Sequence, residues 1–176
     1  AVYGMGTFIC VTPVFYDRPP AEAMIARGLT TEHHAVPGAY VSFIYNQGGS
    51  LAKWVRDTFA RAEHLAAQLA GDDVYDQLFA ELPAVPSGLV ALPHFTTTGP
   101  PDFVSDSAGV IAGLHLETSR GAVLKALIEG ATFYLRACIE ALPGTGITID
   151  EYRAAGGGSK SDAWLQMKAD IFGIPF

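Results

Sequence analysis

Basic residues are scarce. Eleven Lys and Arg stand against eighteen Asp and Glu, a formal net charge of −7 over 176 residues. Nucleic acid and anionic membrane surfaces both require a basic face, so neither fits as a main partner. An anionic nucleotide needs only a local site and stays open. Cysteine is nearly missing. Cys10 and Cys138 lie in apolar stretches without metal-ligand or redox spacing, which points to reduced core thiols in a reducing, cytoplasmic compartment. No apolar run approaches the roughly 20 residues of a membrane-spanning helix, and no charged segment followed by an apolar one reads as a signal peptide. The chain also lacks Gly-x-x-x-x-Gly-Lys-Ser/Thr, and no Gly-x-Gly-x-x-Gly opens a helix. There is no Ser–His–Asp or Cys–His set. His64, His94 and His115 are scattered and read as core or surface residues. His33-His34 has no second ligand pair at useful spacing and reads as exposed loop.

What is present is apolar residue and glycine. A chain that is 49% apolar and 16% charged can build one ordinary core. Residues 2–16 are β-branched and aromatic around Gly4 and Gly6, with a strand over Phe8 to Thr12 that Pro13 demotes to an edge. Residues 17–37 read as loop. Alternation predicts a strand over Ala39 to Tyr45, and helical spacing of Leu51, Trp54, Val55, Phe59, Ala62, Ala66 and Leu69 predicts one helix up to Gly71. Asp72-Asp73 reads as a solvated turn and cap, and residues 74–82 as a shorter helix. Strands follow at Gly88 to Phe95 and Gly109 to Leu114. A long helix spans about Ser119 to Leu142, with Val123, Leu127, Ala131, Tyr134, Cys138 and Leu142 as its apolar stripe, Glu129 off the stripe, and Pro143-Gly144 as its stop. A strand over Glu151 to Ala155 leads through Gly156-Gly157-Gly158-Ser159 into a last helix to Phe172. This order makes an α/β layered domain. The chain begins without Met inside a strand and closes at Gly173-Ile174-Pro175-Phe176, where a new strand starts. It reads as a fragment truncated at both ends.

Three glycine turns stand out: Gly4 to Thr7, Gly48 to Ser50, and Gly156 to Ser159. Each sits at a strand end and two of them open helices. Glycine permits close backbone approach, and a helix N-terminus suits phosphate. Strand-end loops of an α/β sheet gather around one cleft. The plainer reading of each is a tight turn, with Ser159 or Ser161 as a helix cap.

The ordered series Gly6-Thr7, Gly48-Gly49-Ser50-Leu51-Ala52-Lys53-Trp54, Leu92-Pro93-His94-Phe95, Gly109 to Leu114, Leu124-Lys125-Ala126-Leu127-Ile128-Glu129-Gly130, and Gly156 to Ser161 with Trp164-Leu165-Gln166 and Ala169-Asp170 resembles the C-terminal domain of the FGGY carbohydrate kinases, the xylulokinase-like members in particular. The resemblance covers nearly the whole chain. It implies a ribonuclease-H-like, actin-type ATPase fold, with a helical insertion at about residues 47–87, forming the nucleotide-binding half of a two-domain kinase. It implies ATP with Mg²⁺, a sugar or polyol acceptor with a pentulose such as xylulose favoured, an N-terminal domain of the same parent chain as partner, and a homodimer as an open option. By position, Thr7 lies by the phosphates, Gly49 and Lys53 in the nucleotide cleft, Gly157 and Gly158 against the adenosine, and Ser161 near the base. The catalytic aspartate of the family falls upstream of this chain. Asp57, Asp102, Asp106 and Asp170 read as caps and exposed turns, and no metal ligand is assigned. The chain departs from its relatives' pattern at Phe8, at Thr98-Gly99-Pro100-Pro101 and at Ala122. A non-catalytic nucleotide-binding or interaction module of the same superfold is the alternative.

Overall fold

A computed structural model describes residues 1–176, except the side chain of Pro143. In chain order the elements are β1 (Val2–Met5), β2 (Phe8–Thr12), β3 (Val14–Phe15), α1 (Ala21–Ile25), β4 (Glu32–His33), β5 (Tyr40–Val41), β6 (Ile44–Gln47), α2 (Gly49–Phe59), α3 (Arg61–Ala70), α4 (Val74–Ala80), β7 (Val90–Leu92), β8 (Val110–Ala112), α5 (Arg120–Glu140), β9 (Arg153–Ala155) and α6 (Asp162–Phe172). Short 3-10 turns occupy Leu142–Thr145 and Gly157–Lys160.

The central sheet has the order β6-β2-β1-β9. β1 and β2 form an antiparallel hairpin, β6 pairs antiparallel with β2, and β9 runs parallel to β1. Strands β1, β6 and β9 therefore all point the same way, and their C-terminal ends share one edge of the sheet. β3, β5 and β4 make a small second sheet, and β7 pairs with β8 in a third. The core is one cluster in which Tyr3, Met5, Ile9 and Val11 of the hairpin meet Leu51 and Val55 of α2 and Leu124, Leu127, Ile128 and Leu135 of α5.

Several expectations need correction. Residues 17–37 are not all loop, since they hold α1 and β4; His33 lies over the Tyr40 ring, and His34 accepts from the Val36 N–H at 2.9 Å. β2 is an interior strand. Pro13 stands past its end, where the chain leaves for another sheet, so proline ends pairing here without marking an edge. The single strand expected over Ala39 to Tyr45 is two, β5 and β6, in different sheets. The helix expected from Leu51 starts at Gly49 and breaks at Ala60, whose φ of −137° is not helical. The apolar spacing carries through that break because both helices are amphipathic, yet Leu69 ends up 91% exposed. Among the described residues, Phe176 stacks on Tyr152 at 4.9 Å, within an aromatic cluster with Tyr3 and Phe172.

Helix α5 ends at Glu140, with Ser119 as its N-cap; the expected stop at Pro143 lies outside the described residues as far as its side chain goes. The expected stripe is displaced. Leu127 and Ala131 are buried as expected, but the buried arc runs through Leu124, Ile128, Thr132 and Leu135, while Val123, Tyr134 and Cys138 sit at its margin. α5 is covered by α2, α6 and β7, so its buried arc is wide and includes polar members. Lys125 reaches the carbonyls of Pro83 and Val85 at 2.7 Å each. Glu129 is not solvated; it accepts from the Ser87 hydroxyl at 2.6 Å. Arg120 ties α5 to Glu63 and Glu81. Cys10 and Cys138 are free and half-buried, and burial pushes the Cys138 thiol up to about 11.

Gly130 is where α5 meets β7: a Cβ there would fall 2.3 Å from the Ala91 carbonyl oxygen. Backbone cannot yield cheaply. Replacing Gly130 by Ala gains up to about 1 kcal/mol of helix propensity but overpacks the contact at a cost of about 1–3 kcal/mol or more. We expect Gly130→Ala to lower the urea midpoint of the domain's unfolding transition; an unchanged or raised midpoint would show that the helix has room to move off the strand.

Candidate active site

The shared edge of the central sheet brings the three glycine turns together. The β1–β2 hairpin turns at Gly6-Thr7, closed by the Gly6 N–H donating to the Phe8 carbonyl at 3.1 Å. Next to it, β6 gives way to α2. The N–H groups of Gly49 and Ser50 donate to the carbonyls of Gly6 and Thr7 at 2.9 and 3.0 Å. A Cβ on Gly49 would lie 2.5 Å from the Gly6 oxygen, so glycine is required there by contact. On the other side, β9 runs into Gly156, whose φ of +98° favours glycine, and then into the 3-10 turn and α6.

These turns border a cavity of about 820 Å³, within the range of small-molecule sites. Gly6 and Thr7 come from the hairpin, Gly49, Ser50, Ala52 and Lys53 from α2, and Gly157, Gly158, Lys160 and Ser161 from the last turn. Every residue expected in a nucleotide site from the sequence (Thr7, Gly49, Lys53, Gly157, Gly158 and Ser161) therefore lines this one cavity. Asp73, Tyr75, Asp76 and Phe79 of the α4 region and Asp162 and Trp164 of α6 complete it, and the sequence reading missed them as site residues. Asp73 caps α4 as expected, its carboxylate accepting from the Tyr75 N–H at 2.9 Å. Phe79 and Trp164 form an apolar wall, stacked at 5.5 Å and 25°. They lie 85 positions apart in the chain, so only folding pairs them; the one local signal was an aromatic just inside the helix after a glycine run.

The three adjacent glycines are there for different reasons. At Gly156 the reason is backbone conformation. At Gly158 it is packing, since a Cβ would lie 2.5 Å from the Trp164 ring and 3.0 Å from the Met5 Cβ. At Gly157 neither applies: no atom lies within 4 Å of where its Cβ would stand, and its φ is not in the left-handed region. Its bare side faces open space.

Charges and dipoles around the cavity are unevenly disposed. Ser161 caps α6, its hydroxyl accepting from the Trp164 N–H at 3.3 Å, which leaves the first N–H groups of α6 without intrahelical partners. The first N–H groups of α2 are already taken by the hairpin. Lys53 turns along its own helix to Asp57 at 2.6 Å, and Lys53 with Arg56 holds the Asp57 carboxyl below the usual carboxylate range. Asp102 accepts from the Tyr134 hydroxyl and Asp170 from the Gln166 amide. Among the described residues, no group of three or more His, Cys, Asp or Glu side chains is gathered closely enough to hold a metal ion by itself.

The glycine contacts yield a contrast. Gly49→Ala should cost about 1–3 kcal/mol, roughly 2–12 °C in melting temperature at this size. Gly157→Ala should shift the melting point by no more than about 1–2 °C. A thermal melt of both variants checks the ranking; equal losses would mean that Gly157 is held by packing after all.

Comparison with known proteins identifies the family. The model of the FGGY family of carbohydrate kinases, C-terminal domain, matches residues 1–176. The gluconokinase of Bacillus licheniformis is 31% identical over 177 residues, covering 96% of this chain and 33% of that protein. Among solved structures, the xylulose kinase of Rhodospirillum rubrum superposes with a TM-score of 0.75 at 27% identity, over 98% of this chain and 33% of that one. The glycerol kinase of Plasmodium falciparum, solved with ADP, superposes at 0.72 with 20% identity, over 98% and 33%. The chain thus spans about a third of the length of these proteins. With a family match over every residue, this chain belongs to the FGGY carbohydrate kinases, as their C-terminal domain.

Proposed function

We propose that the cavity at the glycine edge binds ATP, and that this domain supplies the nucleotide half of a kinase that phosphorylates a hydroxyl of a sugar or polyol. The observation that carries this reading is Gly157. The fold needs no glycine there, yet glycine is present, flanked by two that the fold does need; space is open where a side chain would stand, and the residue lines the cavity. A bare backbone at such a position suits a ligand that must lie flat against the chain. The cavity also fits a nucleotide in kind. It has an apolar aromatic wall in Phe79 and Trp164, a helix N-terminus at α6, and the Thr7 hydroxyl at the hairpin tip.

In this reading Thr7 and the first N–H groups of α6 hold phosphate oxygens, and Lys160 in the turn adds a positive charge. Gly157 and Gly158 let the adenosine approach, with Ser161 beside the base. Gly49 and the α2 start act as a rigid wall, since their donors are spent on the hairpin. Lys53 stands at the rim, exchanging Asp57 for a phosphate only by swinging away from its own helix. Bound ATP would supply the phosphoryl group, and Mg²⁺ would offset the charge of its phosphates. The aspartate that takes the acceptor's proton, and the groups that recognise the acceptor, belong to an N-terminal domain of the parent chain. Relatives named gluconokinase, glycerol kinase and xylulose kinase all align here. A pentulose such as xylulose is the favoured acceptor, on the likeness to xylulose kinases.

The test is a panel on the full-length protein with ATP and Mg²⁺ and with ketopentoses, pentoses, polyols, glycerol and gluconate as acceptors. ADP is expected with one of them. Gly157→Asp places a carboxylate in the cavity, where about 3 kcal/mol of repulsion from the phosphates lowers kcat/KM for ATP about 100-fold with the melting point nearly unchanged. ATP binding without turnover on any acceptor would favour a non-catalytic nucleotide-binding module. Full activity in Gly157→Asp would place the nucleotide elsewhere.

A further inference from the structure

Behind the aromatic wall lies a charge that the proposed reaction does not use. Lys168, one turn beyond Trp164 on α6, is fully buried. Its Nζ donates to the Tyr3 hydroxyl of β1 and the Thr132 hydroxyl of α5, both at 3.1 Å. It also lies 4.6 Å from the Tyr3 ring centre and 5.4 Å from that of Trp164. Among the described residues no carboxylate is within ion-pair distance of it. Buried ammonium groups are normally paired, because two neutral hydroxyls do not replace a hydration shell. Desolvation accordingly pulls this amine down from the usual lysine range to about 7.

The surroundings add no other neutral-range titration. From β1 the facing group is the Tyr3 phenol, which burial raises further above its ordinary value, so it stays neutral. Tyr152, edge-on to Tyr3, is raised by burial to about 12. From β2, Cys10 is raised by burial. From α5 come Thr132, whose hydroxyl donates to the Ile128 carbonyl, and Arg136, which is engaged with the Ile171 carbonyl and Glu140. From α4, Phe79 is apolar. On α6 itself Asp170 is held by Gln166 and faces solvent, and Lys160 of the preceding turn is exposed.

We propose that Lys168 is a positioning residue of the cavity: its amine clamps Tyr3, Thr132 and Trp164, so that proton occupancy of the amine and ligand occupancy of the cavity are coupled through the Trp164 ring. Trp164 is the physical link, since it lines the cavity, supports Gly158 and offers its face to the amine. Its indole N–H is buried without a partner, so nothing but packing and the amine fixes the ring. The sign follows from charge. A polyphosphate in the cavity favours the protonated amine, so binding takes up protons near neutrality, and affinity falls as pH rises through the amine's titration. A rise of half a unit to one unit in the amine's pKa on binding corresponds to a loss of affinity of about three- to tenfold across that range. The coupling rests on the nucleotide reading of the cavity; the titration of Lys168 in the free protein does not.

The experiment uses the full-length protein labelled with 5-fluorotryptophan, with the Trp164 ¹⁹F resonance assigned by Trp164→Phe. The native resonance is expected to shift with a midpoint near neutral pH, and that of Lys168→Met to stay flat; Lys168→Gln serves if the Met variant does not fold. Calorimetry of ADP binding at neutral pH, in two buffers of different ionisation enthalpy, then counts protons. The native protein should take up more than the variant, the nucleotide's own ionisation being common to both. A native resonance that does not titrate, or equal proton counts with ADP binding intact, overturns the proposal. If the native protein binds no ADP, the coupling and the nucleotide reading fall together, and the ¹⁹F titration shows that the ligand and not the lysine was misassigned.

Discussion

The hydrogen bond from the Gly49 N–H to the Gly6 carbonyl, at 2.9 Å, is the contact on which the site depends. It fastens the start of α2 to the tip of the β1–β2 hairpin, and the missing Cβ on Gly49 is what allows the two backbones to meet. The bond has a chemical consequence. A helix N-terminus attracts anions because its first N–H groups lack partners. At α2 the Gly49 and Ser50 donors are already satisfied by hairpin carbonyls, so this terminus is a wall. At α6 the Ser161 hydroxyl satisfies only the Trp164 N–H. Two glycine turns that look alike in the sequence thus differ: the first donors of α2 are spent on the hairpin, and those of α6 are not.

Much of the architecture was legible because it is written in local residues. Hairpin and helix starts announce themselves through glycine, serine and aspartate, and Ser119, Asp73 and Ser161 all serve as caps. The convergence of the three turns was also legible, since strand-end loops of such sheets gather on one side, and the strand directions bear that out. What could not be read were features decided by distant partners. The break at Ala60 preserves the apolar spacing on both sides, so periodicity does not see it. The buried arc of α5 is wider than its apolar stripe because Lys125 and Thr132 turn polar ends to carbonyls and an amine in the interior. Glu129 likewise finds its partner, Ser87, 42 positions away.

The aromatic wall joins these two themes. Phe79 of α4 and Trp164 of α6 are brought together only by the fold, and Gly158 must be bare so that the Trp164 ring can lie against it. Behind the ring, the core accepts the cost of a buried amine. Buried charge without a counter-charge opposes stability, and an apolar residue of similar length at position 168 would avoid that penalty. The lysine is therefore not explained by packing alone, whereas the neighbouring Trp164, Met167 and Ile171 are, as buried apolar members of the core.

In the proposed reading, the acceptor of the phosphoryl group is a separate matter from the cavity. Relatives named for gluconate, glycerol and xylulose align with this chain at 31%, 34% and 32% identity. These acceptors differ in length, charge and carbonyl chemistry, so a surface that selected among them should differ from one relative to the next. The glycine edge joins close backbone contacts and an aromatic wall to the hydroxyls of Thr7, Ser50, Tyr75 and Ser161 and the amines of Lys53 and Lys160. Discrimination among polyols needs several side-chain hydrogen bonds set at fixed spacing, because only unpaired polar groups reject a near-isostere strongly.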